Sequence, residues 1–139
     1  MKKIVITLSV AALLSLSALG LSALQSVSAD CASTNSINAS LATGSVSEDG
    51  LGNFWYAILV ELNMKGKPFM GQVAQATGST GVDKVTYSPS YWFPKSCNDP
   101  VLITVRGKKV GFGPHLVNTQ VDVGPSPNAA RTLDITPIP

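Results

Sequence analysis

Charged residues are scarce, at 13% of 139, and none occurs between Lys3 and Asp30. That poverty excludes a disordered polyelectrolyte, and 9 Pro with 12 Gly are too few for a low-complexity chain. There is one histidine, His115, and there are two cysteines, Cys31 and Cys97. Three such residues do not make a zinc ligand cluster, so no metal site is expected. No Gly-x-Ser-x-Gly elbow occurs, and the acidic side chains are scattered rather than paired. No catalytic residue and no cofactor are assigned. His115 and Glu61 are the two positions that a minimal hydrolase would have to use.

The charge-free segment has a plan of its own. Lys2 and Lys3 precede a Leu- and Ala-rich run that closes on Val27-Ser28-Ala29. A basic start, an apolar middle and a small-residue end are the pattern of a secretory signal peptide, so residues 1–29 are expected to be removed. An uncleaved anchor is the competing reading, since the run is long enough to cross a bilayer. Ser9, Ser15, Ser17 and Ser22 interrupt it, and no charged or aromatic belt closes its far end. Both readings put residues 30–139 outside the cytoplasm, as one domain that is secreted, periplasmic or on the cell surface. With the leader gone, eight basic and eight acidic side chains remain, and no membrane span. Zero net charge argues against a nucleic-acid partner. The one basic cluster, Arg106, Lys108 and Lys109, reads as solvated turn charge or a small anionic contact patch.

Export also decides the cysteines. In an oxidising compartment Cys31 and Cys97 have a single intramolecular connectivity. Both sit in turn-like surroundings, DCASTNS and FPKSCNDP. A surface staple is expected, tying the N-terminal segment to a loop.

The body of the chain is a series of short apolar stretches between turn residues. Asn53–Met64 alternates Phe54, Tyr56, Ile58, Val60, Leu62 and Met64 against Trp55, Ala57 and Leu59, and reads as the central strand, buried on both faces at its start. Residues 36–43 form another strand. Residues 69–76 should pair with the central strand through the Lys65-Gly66-Lys67-Pro68 turn. Residues 82–88 carry Val85 and Tyr87. Residues 101–106 set Val101, Ile103 and Val105 inward, with RGKK as a tight turn after them. Residues 116–123 turn Val117, Thr119, Val121 and Val123 to one side, and 131–136 offer Leu133 and Ile135. These are seven to eight short strands with no convincing amphipathic helix. They specify an all-β fold, a small antiparallel β-sandwich. An immunoglobulin-like arrangement fits that count, but the family's cysteine and tyrosine signature is absent.

The segment Tyr87-Ser88-Pro89-Ser90-Tyr91-Trp92-Phe93-Pro94 is the most informative feature. Its prolines place it at a sheet edge or loop. In an extended chain Tyr91 and Phe93 face one way and Trp92 the other. Tyr87, Tyr91, Trp92 and Phe93 are therefore the candidate binding residues, unless the rings simply close one end of the core. The expected function is an exported module that binds an extracellular protein or carbohydrate. Alternatives are an inhibitor of an extracellular hydrolase, presenting a loop such as 87–97 or 107–115, and a structural envelope or matrix subunit.

Overall fold

The computed structural model describes residues 30–139; the expected leader, residues 1–29, lies outside the described residues. The strands are β1 Ser36–Leu41, β2 Ser47–Glu48, β3 Asn53–Asn63, β4 Met70–Gly78, β5 Val82–Ser88, β6 Tyr91–Trp92, β7 Val101–Lys109, β8 His115–Gly124 and β9 Ala130–Ile138. Every pairing is antiparallel. One sheet runs β1-β3-β7-β5 with β2 also on β3, and the other runs β6-β4-β8-β9. The chain is thus an all-β sandwich, and no described helix is long and apolar enough to cross a membrane. The two strands not read from the sequence, β2 and β6, are two residues each and too short for any periodicity to show.

The core is the sum of the inward faces. From β3 come Phe54, Tyr56, Ile58, Val60 and Leu62, continued by Met64; β7 adds Ile103 and Val105, and β8 adds Val117, Val121 and Val123. On β8 the alternation is complete, because Thr119 takes the remaining inward place and is fully buried. β3 is central, as its pattern demands. Its two-sided burial lies in the middle, at Ala57, and not at its start, where Trp55 is 42% exposed. The outer side of Ala57 is sheltered by the chain leaving β1, where Ala42 N–H donates to Ala57 C=O.

Three expectations are corrected. β4 does not pair with β3; Met70–Gly78 lies in the opposite sheet between β6 and β8. Residues 64–69 are a crossover. The backbone of Met64 is already engaged, donating to Cys97 C=O and accepting from Ala32 N–H, and Pro68 is buried without an N–H to extend a ladder. Second, RGKK is not a turn, because β7 continues through Arg106-Gly107-Lys108-Lys109 in register with Asn53–Trp55. Gly107 serves close approach: a Cβ there would strike the ring of Phe54. Third, Leu133 and Ile135 face solvent at 56% and 55%, and β9 turns Asp134, Thr136 and Ile138 inward. Pairing of Ile138 with His115 and Thr136 with Val117 fixes that parity. A one-residue slip would reverse it. The inward carboxylate of Asp134 accepts from Thr136 Oγ1 at 2.6 Å, and a buried charge on an edge strand discourages edge-to-edge pairing.

The disulfide joins Cys31 to Cys97, with Cα atoms 5.7 Å apart. It is only half a surface staple. Cys31 is exposed, but Cys97 is 2% exposed and belongs to the core. Both of its chain segments hydrogen-bond to Met64, so the bridge closes one end of the sandwich across the end of β3.

Candidate functional site

The sequence-derived segment is an edge that changes sheets. β5 lies in the first sheet and β6 in the second, with only Pro89 and Ser90 between them. Ser90 C=O accepts from Val73 N–H at 2.8 Å, and Tyr91 and Trp92 pair with Gln72 and Gly71. Alternation then separates the rings. Trp92 is turned inward and packs against the core, as does Tyr87 from β5. Tyr91 and Phe93 point outward and are 59% and 60% exposed.

Trp92 is seated over a glycine. A Cβ on Gly71 would penetrate the indole at Cε2 and Cζ2 and lie 2.8 Å from Cη2. The absence of a side chain on β4 is therefore what lets the indole lie flat across its partner strand.

A third ring completes the outer cluster. Phe69 is 69% exposed, and its centroid lies 6.2 Å from that of Phe93 in an edge-to-face contact. Phe93 in turn meets Tyr91 edge-to-face at 5.9 Å. Edge-to-face pairing at these distances is favourable for aromatic quadrupoles. Two buried prolines hold the rings out: Pro68 precedes Phe69, and Pro94 follows Phe93. Sequence reasoning missed Phe69. The signal was its place directly after Pro68, but that proline was assigned to a hairpin turn.

The other candidates are dispersed. Glu61 is exposed on the outer face of β3, opposite Asn38. His115 opens β8, is 5% exposed, and its Nδ1 lies 3.1 Å from Thr80 C=O while Nε2 is buried without a partner. Asp122, its nearest downstream acid, is held by Arg131, whose Nε donates to Oδ1 at 2.8 Å and Nη2 to Oδ2 at 3.1 Å. No His-acid pair forms between them. Among the described residues no group of three or more His, Cys, Asp or Glu side chains is placed to hold a metal. Of the expected basic cluster, Lys109 is bound to Glu48 and to the Pro139 carbonyl oxygen, whereas Arg106 and Lys108 remain on the outer face of the first sheet.

A further ring, Phe112, is fully exposed on the loop between β7 and β8. It stands between Gly111 and Gly113, both at positive φ, and has no aromatic neighbour to brace it. No family model matches the chain, and no curated protein matches it.

Proposed function

We propose that the chain is an exported binding module that docks on an extracellular protein through the edge formed by Phe69, Tyr91 and Phe93. One observation carries the reading: three large rings, each exposed by more than half, are propped against one another on a strand edge anchored by buried prolines. Contiguous exposed aromatic surface of this kind characterises contact sites. The rings meet at 73° and 79°, so they form a faceted knob and not a flat shelf. A knob suits a pocket on a protein better than the flat face of a sugar. Lys67 and Lys95, both exposed, flank the knob in sequence and supply a polar rim. The disulfide is in keeping with the extracytoplasmic location that the leader implies.

The test uses labelled protein and intact cells or matrix as the target surface. Tyr91→Ala, Phe93→Ser and Phe69→Ser should keep the thermal midpoint within a few degrees, because the rings bury little. Binding should fall tenfold or more, corresponding to hot-spot losses of about 1.4 kcal/mol and above. Pre-treating the surface with protease should abolish binding. Retention of full binding by all three variants would refute the site. Sensitivity to glycosidase in place of protease would favour a carbohydrate partner at the same edge.

A second reading rests on Phe112. A fully exposed ring on a loop tip is the form in which a hydrolase inhibitor would offer a residue to a specificity pocket. A one-to-one complex with a secreted protease, lost in Phe112→Ala and unaffected by Phe93→Ser, would establish it.

A further inference from the structure

The outer face of the first sheet holds a second, unrelated feature. An open cleft of about 440 Å3 is lined by Asn53, Trp55, Lys84, Arg106 and Lys108, with Phe54 and Gly107 beneath. Its size falls in the range of about 300–1,000 Å3 usual for small-ligand sites. Trp55 and Arg106 are direct cross-strand partners on that face, on its other side Trp55 is opposite Ser47, and Trp55 is 42% exposed.

Lys84 reaches the cleft through a distorted strand. The register of β5 on β7 shifts between Asp83 and Thr86, which places one extra residue in β5. Lys84 in that bulge has φ of 53°, a left-handed conformation normally left to glycine at such bulges. Asp83 Oδ1 accepts from Lys84 N–H at 2.8 Å and supports the turn. A lysine held where glycine would fit better adds a cation to the lining of the cleft.

Several of the charges already have partners. The two salt bridges among the described residues use Lys109 with Glu48 and Arg131 with Asp122. Lys108 is opposite Asp83 in the ladder and is offset in part by it and by Asp49. The Asp49 carboxylate is itself occupied by the N–H groups of Leu51 and Asn53 and by the Asn53 amide. Arg106 and Lys84 are the cations left to meet a ligand.

We propose that this cleft binds a carboxylated pyranose of an acidic polysaccharide. The C–H face of the sugar stacks on Trp55, and its carboxylate accepts from the Arg106 guanidinium, with Lys84 closing over it. Arg matches a carboxylate with a planar fork of donors, and an aromatic face supplies the apolar half of the contact. Three cations around one indole do not make the long basic track that nucleic acid requires, and residues 30–139 carry no net charge. The site is separate from the Phe69–Tyr91–Phe93 knob, and the proposal does not rest on it.

The test measures calorimetric binding of the full chain to polygalacturonate and alginate, with dextran, dextran sulfate and a thymidine oligonucleotide as controls. At least one polyuronate should bind, with affinity falling as salt is raised, and dextran should not. Arg106→Gln and Trp55→Ala should each weaken binding fivefold or more. Lys84→Gly should weaken it similarly while leaving the urea midpoint unchanged or higher, since glycine relieves the left-handed backbone. Phe93→Ser should bind as well as wild type. Failure of both polyuronates to bind, or unchanged affinity in Lys84→Gly and Arg106→Gln, would overturn the assignment. So would equal binding of dextran sulfate or the oligonucleotide, which would mark a plain polyanion contact.

Discussion

The packing of Trp92 on Gly71 ties the stability of the fold to the geometry of the knob, and Gly71→Ala should break both. A methyl group on Gly71 would overlap two atoms of the indole and lie 2.8 Å from a third. The obstruction is a rigid ring backed by the core, so it cannot yield as the tip of a flexible side chain would. Either the indole swings out or β6 parts from β4. Overpacking of this kind costs about 1–3 kcal/mol. Expulsion forfeits part of the burial of a tryptophan, but frees Nε1, which is buried without a hydrogen-bond partner. We expect a net loss of about 2 kcal/mol, inside that range. With a urea m-value of about 1–3 kcal/mol/M, the midpoint should fall by roughly 0.7–2 M.

Two tryptophans are present, so the emission of Trp92 is read in a Trp55→Phe background, where Gly71→Ala should shift it to the red. Replacing the ring should remove the penalty: in Trp92→Leu, Gly71→Ala should cost little, a coupling of at least about 1 kcal/mol. Because Tyr91 and Phe93 flank Trp92, partner binding should fall along with stability. An unchanged midpoint with unchanged Trp92 emission would refute the packing argument, and additive costs in the double variant would refute its cause.

Four further outcomes follow from the same geometry. Cys31→Ser/Cys97→Ser should lose up to about 4 kcal/mol, from loop closure over the 66-residue separation, measured as a urea midpoint with and without reductant. Ile58→Ala, at a fully buried core position, should cost about 2–5 kcal/mol by the same measurement. Leu133→Ser and Ile135→Ser should each stay within about 0.5 kcal/mol, whereas burial of those side chains would make either change severely destabilising. Burial pushes the Tyr56 phenol above its usual value, outweighing the nearby Thr136 and Thr119 hydroxyls, with the Asp134 charge adding to the rise. A raised folded value means that this stabilisation is complete below about pH 10 and is lost as pH climbs through the folded value. Tyr56→Phe should remove that part of the alkaline decline in a series of midpoints from pH 8 to 11.

The candidate surfaces were unequally legible. Alternation along an extended chain set Tyr91 and Phe93 opposite Trp92, and the pairing of β6 with β4 decided that Trp92 is the one turned inward. Phe69 could not, since it joins the knob only through a crossover to the opposite sheet. The cleft was less legible still. Trp55 and Arg106 are 51 positions apart and meet only because β7 runs straight through Gly107, and Lys84 enters only because β5 bulges. Tyr87 was placed among the binding residues by its neighbours in sequence, yet it packs inward from the other sheet.

What the sequence determined by itself is whatever one strand can express. Period-two alternation named the inward faces of β3 and β8, turn residues separated the strands, and two cysteines had one way to pair. What only the tertiary structure decided is which strand meets which, and in what register. β4 could present the same face to β3 or to β8. β9 could bury Leu133 and Ile135 or Asp134 and Thr136. Hydrogen bonds to Met64 and the pairing of Ile138 with His115 settled those choices. Backbone groups that are already satisfied cannot take a second partner, and a register once set fixes every side chain along the strand.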